Sequence, residues 1–158
     1  MHSKGFTLIE IMVAITVLTI GIMACYAAIT KVVSLTYLNS FRFVASRLAQ
    51  EGIELVSNTR DTNWLNNDDW DKGLTDCASG CEVDYNDPVF SPYANQYLQI
   101  DSNGFYNYGD GDNSRFKRKI TITDIPPDGI KVIVQITWSE LGSSLGTLEV
   151  EEHLYNWR

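Results

Sequence analysis

Glu10 is an ionisable residue at the edge of 20 residues, Ile11–Thr30, that contain no charge and no proline. A carboxylate at membrane depth costs about 2.5–3.5 kcal/mol even on lenient insertion scales, so it normally has a partner or a task. The simpler reading is that Glu10 sits at an interface and reaches water. A second group with chemical potential is the pair Cys77 and Cys81, which close the small ring Cys77-Ala-Ser-Gly-Cys81. Outside the cytoplasm such a pair is expected to form a disulfide that pins its loop. A redox pair or half of a metal site would be the alternatives, but the spacing suits neither and no nearby histidine completes a ligand set. Cys25, the third cysteine, lies in the apolar run and reads as a small packing residue.

The remaining charged clusters are weighed against plainer roles. Arg115-Phe-Lys-Arg-Lys119 is the densest basic run. Strand alternation puts Arg115, Lys117 and Lys119 on one face and Phe116, Arg118, Ile120 and Ile122 on the other. Exposed cations on a strand usually mark a solvated face or a protected edge, so DNA contact is not expected. Arg118 on the apolar face, and Glu152 among Leu148, Val150 and Leu154, are expected to form a structural ion pair under the sheet. Asp101, Asn103, Asp110, Asp112 and Asn113 offer oxygens to calcium, but they lack EF-hand spacing and read better as turn residues. No nucleophile elbow, phosphate loop or zinc motif occurs, and no cofactor, metal or enzymatic activity is expected.

These groups must be carried by a chain of 158 residues, 44% hydrophobic and 20% charged, a composition that supports one core and argues against disorder. Its formal charge of −8 disfavours broad electrostatic binding to nucleic acid or anionic lipid. At about 1.5 Å per residue the 20-residue apolar run matches the hydrocarbon thickness of a bilayer, so it reads as a membrane span. A secretory signal would have a shorter apolar core and a small-residue cleavage site. Lys4 and the α-amino group place the N-terminal flank inside by the positive-inside rule. Leu38, Phe41, Ala45, Leu48, Gly52 and Leu55 continue a helical stripe, so one helix is expected from Phe6 to about Val56. The polar stretch 58–92 then reads as an irregular connection packed on the head through Trp64, Trp70 and Leu74. Period-two patterning follows: short strands at Gln96–Ile100 and Phe105–Tyr108, then Arg115–Thr123, Ile130–Ser139 and Gly146–Trp157. Turns at Asp124–Gly129 and Leu141–Gly146 favour an antiparallel meander, and the fold class is α+β.

Gly5-Phe6-Thr7-Leu8-Ile9-Glu10, a short basic leader before it and the apolar helix after it resemble the N-terminus of type IV prepilins and pseudopilins. The resemblance implies a pilin-like fold with a long helix packed on an antiparallel sheet. It also implies cleavage between Gly5 and Phe6 by a membrane-embedded prepilin peptidase, with N-methylation of Phe6. The new amine could pair with Glu10 four residues on, or with Glu10 of an adjacent subunit, and the sequence leaves both open. Residues 1–5 would then be a leader, 6–30 the span and assembly segment, 31–57 an amphipathic helix and 58–158 the exported head. That head would comprise a loop at 58–92 and a sheet at 93–158. The expected partners are other pilin subunits, the peptidase and methyltransferase, an assembly or secretion platform and, before assembly, the bilayer.

Further motifs look like the minor pilins called type IV pilus modification proteins. They are Ala49-Gln-Glu-Gly-Ile-Glu-Leu55, Arg60-Asp-Thr-Asn-Trp-Leu65, the cysteine pair, Phe116-Lys-Arg118, Trp138-Ser and the ending Leu154-Tyr-Asn-Trp-Arg158. The resemblance thus implies a minor structural subunit that primes or modifies a filament, its head at the cell surface. The alternatives are a type II secretion pseudopilin, a DNA-uptake pilin and an unassembled membrane-anchored binding domain.

Overall fold

A computed structural model describes residues 5–86, 89–139 and 145–157. Among the described residues its elements are one α-helix, one short 3-10 turn and eight strands, and the chain divides into two compact units, Met1–Ser40 and Phe41–Arg158. Helix α1 runs Leu8–Asn66 and crosses the division. It begins where Thr7 caps it, the Thr7 Oγ1 accepting the Glu10 backbone N–H at 3.3 Å.

In the first unit the helix is apolar around its whole circumference and almost wholly exposed. Its hydroxyls turn back on the helix itself: Thr30 donates to Tyr26 O at 3.2 Å, Ser34 to Thr30 O at 3.1 Å and Thr36 to Val32 O at 2.9 Å. Thr19 does the same to Ile15 O. Such internal satisfaction is what a helix surrounded by hydrocarbon requires of its polar groups.

The second unit is built on the later part of α1, which buries Ala45, Leu48, Ala49, Gly52, Ile53, Val56 and Asn63. Spacings of three and four put these on one face, against a five-stranded antiparallel sheet. Strands β1 (Cys81–Glu82), β2 (Ser91–Pro92), β6 (Phe116–Ile125), β7 (Gly129–Ser139) and β8 (Leu145–Tyr155) form it in the order β2-β1-β6-β7-β8. Cross-strand partners Ile120, Val134 and Val150, and Ile122 with Val132, hold one face in register. Each aliphatic residue fully buried there is worth about 1.5–3 kcal/mol, so a one-residue slip would expose the row and is strongly disfavoured.

Three short strands, β3 (Gln99–Ile100), β4 (Tyr106–Asn107) and β5 (Asp112–Asn113), make a second sheet in the order β4-β3-β5. The expected strands at 96–100 and 105–108 are therefore two residues each, and part of the oxygen-rich stretch pairs with β3. Gly111, at φ +118°, permits that pairing, because a Cβ there would stand 2.1 Å from Ile100 O.

The helix outruns its expected end at Val56 by ten residues. Thr59, Arg60, Asp61 and Asn63 look like loop residues, but Asn63 is buried and donates from Nδ2 to Trp70 O at 3.1 Å and Lys72 O at 2.9 Å. Termination comes at Asn67, which adopts φ 58°. Asp68 N–H reaches Asn63 O at 3.0 Å and Asn67 N–H reaches Trp64 O at 3.3 Å, the paired bonds of a Schellman end. Tertiary satisfaction of one amide thus carries the helix through a polar sequence.

Candidate processing segment and the head behind it

Gly5, Phe6 and Thr7 precede the first helical residue, and Phe6 is 80% exposed. A Cβ on Gly5 would meet nothing within 4 Å, and the residue does not use the left-handed backbone that favours glycine. The fold therefore places no demand for glycine at position 5. Glu10 lies in the first turn, exposed, and its carboxylate has no hydrogen bond or ion pair among the described residues. A carboxylate there complements the positive end of the helix dipole and is open to an amine from elsewhere. Beyond it, the helix is long and apolar enough to cross a membrane, with none of its most apolar stretch buried.

Cys77 and Cys81 are joined by a disulfide with Cα atoms 5.2 Å apart. It links the short 3-10 turn Thr75–Cys77 to β1, and both cysteines are core residues. Within the ring, Gly80 at φ +107° leaves room for the Lys119 stem, which would lie 2.1 Å from a Cβ. The loop expected to be irregular thus supplies an edge of the main sheet.

Arg118 is completely buried, but its partner is not Glu152. Its Nη1 donates to Glu51 Oε1 at 3.0 Å and to Leu48 O at 3.3 Å, and its Nη2 donates to Val83 O at 2.6 Å. The register explains the correction. Arg118 lies opposite Ile136, whereas Glu152 lies opposite Val132 on the far strand β8. Both side chains share a face, but they are two strands and four residues apart, beyond reach of each other. Glu152 instead stays in solvent at the uncovered edge. Glu51 carries a signal that sequence reading passed over, since it stands three residues after Leu48 and four before Leu55, on the buried stripe itself.

Tyr108 seals the same region, its OH donating to Arg118 O at 3.2 Å. Burial pushes its phenol well above the ordinary tyrosine range, with nearby Glu82 adding to the rise. Glu82 and Asp84 are buried acids spent on backbone. Glu82 Oε1 accepts Gln96 N–H at 3.1 Å, while Asp84 accepts Asn86 N–H and Tyr108 N–H, each at 2.9 Å. Asp101 likewise organises its turn, accepting Asn103 N–H at 2.8 Å and Phe105 N–H at 2.9 Å. The Phe105 bond is the main reason its carboxyl sits below the usual range. These acids organise loops, and no group of three or more candidate metal ligands occurs among the described residues.

Residues 1–26 match the prokaryotic N-terminal methylation motif, the leader signature of type IV prepilins. No curated protein and no solved structure matches the chain. The long helix followed by antiparallel sheets is an α+β, pilin-like architecture, and the motif implies processing by prepilin peptidase and assembly with other pilins.

Proposed function

We propose that this type IV pilin-like protein is a minor pilin or pseudopilin, a structural subunit that is cut after Gly5, methylated at Phe6 and packed by its N-terminal helix into a filament. The observation that carries the reading is the junction of two features: the methylation motif at residues 1–26, and an apolar helix in which no part of the most hydrophobic stretch is buried. Such a surface has to be covered by lipid or by other helices. Gly5 supports the reading, because the fold itself has no use for a glycine there. A peptidase that must bring the backbone close to its catalytic groups does.

In this reading the span lies in the cytoplasmic membrane with the leader inside and the head outside, where the Cys77–Cys81 disulfide is chemically at home. Glu10, exposed at the start of the helix and without an ion-pair partner among the described residues, receives the methylated amine of a neighbouring Phe6 as subunits join. Two buried charges are thereby neutralised at each step of assembly, which makes correct axial register favourable and misplacement costly. Intact-protein mass spectrometry on protein from its native membrane, beside a Gly5→Ala variant, tests the reading. Loss of Met1–Gly5 and a methyl group on Phe6 in the wild type, with the leader kept in the variant, is the expected result. An intact, unmethylated leader in both would leave a membrane-anchored domain instead.

A further inference from the structure

In a chain with 20 acidic and 12 basic residues, three cations stand together with no carboxylate paired to any of them among the described residues. Lys117 and Lys119 occupy the outer face of β6 and Arg115 immediately precedes the strand, and none of the three makes an ion pair among the described residues. Each is instead held by an aromatic ring. Arg115 Cζ lies 4.4 Å from the Phe41 ring centre, Lys117 Nζ 4.3 Å from Tyr97 and Lys119 Nζ 5.5 Å from Tyr93. Lys117 is fixed again by Asn95, whose Oδ1 accepts both its ammonium at 3.0 Å and the Tyr93 OH at 2.9 Å. Lys119 is fixed by packing over Gly80. Cation–π contact holds a charge in place without neutralising it. Alternate strand residues repeat at about 6.7 Å, which spaces Lys117 and Lys119, and Arg115 just ahead of the strand extends them into a row of three ordered positive charges. Beside it is a cavity of about 300 Å³ lined by Tyr93, Asn95, Tyr97, Arg115, Lys117 and Thr137, among others.

We infer that this row and cavity bind a linear acidic polysaccharide, a carboxylated or sulfated glycan whose anionic groups meet Arg115, Lys117 and Lys119. The charges are already ordered, so binding forgoes much of the side-chain entropy cost that free lysines would incur. Phenol, amide and hydroxyl groups of Tyr97, Asn95 and Thr137 supply the mixed donors and acceptors that sugar hydroxyls need. Nucleic acid fits less well. One face of each tyrosine ring already carries a cation, which removes it as a platform for a base, and the net charge of −8 opposes a long duplex lying across the head. The inference concerns the head alone and stands apart from whether the chain is processed and assembled.

Binding is measured with the full chain in nanodiscs of zwitterionic lipid, using polygalacturonate and heparin decasaccharides, neutral dextran of the same length and a 20-nucleotide single-stranded DNA as probes. The expected result is binding of one or both acidic glycans, none of dextran, and affinity at least tenfold lower in Lys117→Gln/Lys119→Gln. Lys117→Arg/Lys119→Arg, which keeps the charges, should stay within threefold of wild type, and Lys72→Gln, on another surface, should match it. Binding of neither acidic glycan overturns the inference. So does binding that the Gln pair leaves unchanged, or DNA binding more tightly than either glycan. Unchanged thermal unfolding of the Gln pair shows that a lost affinity is a lost contact; if the Gln pair unfolds early, the charge-reversed Tyr97-proximal variant Lys117→Glu is read in its place against the same criteria.

Discussion

Arg118 Nη1 and Glu51 Oε1 lie 3.0 Å apart, joining a central strand to a helix position 67 residues earlier. The guanidinium is wholly buried while the Glu51 side chain remains 34% exposed, so the pair is anchored in the core and vented to solvent at one end. Two carbonyls, Leu48 O and Val83 O, also accept from the guanidinium, while Arg118 Nε has no hydrogen-bond partner among the described residues. The contact ties helix, main sheet and the strand-linked loop together at one point.

Removing the carboxylate strands a buried cation. Glu51→Ala is expected to cost about 2–3 kcal/mol, below the 3–5 kcal/mol of a fully buried pair because Glu51 is partly solvated. Glu152→Ala should change stability by no more than about 0.5 kcal/mol. Urea unfolding followed by tryptophan fluorescence distinguishes the two, and equal effects would contradict the assigned pairing.

At Gly52 α1 comes close to the sheet. A Cβ there would stand 2.9 Å from Val134 Cγ1 and 3.3 Å from Arg118 Cδ. Alanine would improve helix propensity by about 1 kcal/mol, but overpacking a β-branched neighbour costs about 1–3 kcal/mol. Net destabilisation of roughly 1 kcal/mol is expected for Gly52→Ala. Combined with Val134→Ala the loss should be less than the sum, because the truncated neighbour vacates the space; the double-mutant cycle checks it.

Glu10 separates processing from assembly. Glu10→Gln keeps the side chain's shape and removes its charge, so the leader should still be cut. Subunits in the sheared filament fraction should fall at least about tenfold, since an amine left unpaired in an apolar bundle is disfavoured by several kcal/mol. Immunoblots of membrane and sheared fractions, with the processed mass verified in each, supply the measurement.

Tyr108 makes the head sensitive to alkali. Burial raises its pKa, so above about pH 10 the unfolded chain loses that proton while the folded chain retains it. Fewer protons on the unfolded state mean that stability falls as pH rises. Its contribution is complete below the unfolded value and is lost as pH climbs toward the folded one. Tyr108→Phe should lower stability at neutral pH by about 1 kcal/mol through the lost bond to Arg118 O, yet flatten the alkaline limb. Tyr93 and Tyr106, whose pKa values burial also raises, leave part of that slope in place. Denaturant midpoints across neutral and alkaline pH measure both effects.

Local chemistry made much of this protein legible. Twenty uncharged residues after Glu10 are enough to cross a bilayer as a helix, which satisfies its backbone within one segment in hydrocarbon. Alternation in 115–123 and 130–139 fixes two strands and their inward faces, and β6 and β7 follow within two residues at either end. The processing motif is equally local, since a peptidase reads a short segment.

Tertiary contact decided the rest. Asn63 looks like a loop residue until Trp70 O and Lys72 O come within reach of its amide, and only then can the helix continue to Asn66. β1 is two residues long and exists because Cys81 comes to lie opposite Ile120. Arg118 plainly needed an acid, and the pattern offered Glu152 on the same face. Which acid arrives depends on where α1 crosses the sheet, and that crossing is set by the close approach at Gly52. Period and composition determine what each segment is and which way it faces, because those depend on neighbours a few residues away. Partners across 67 residues depend on how the finished surfaces fit, and the sequence states that only through the packed core.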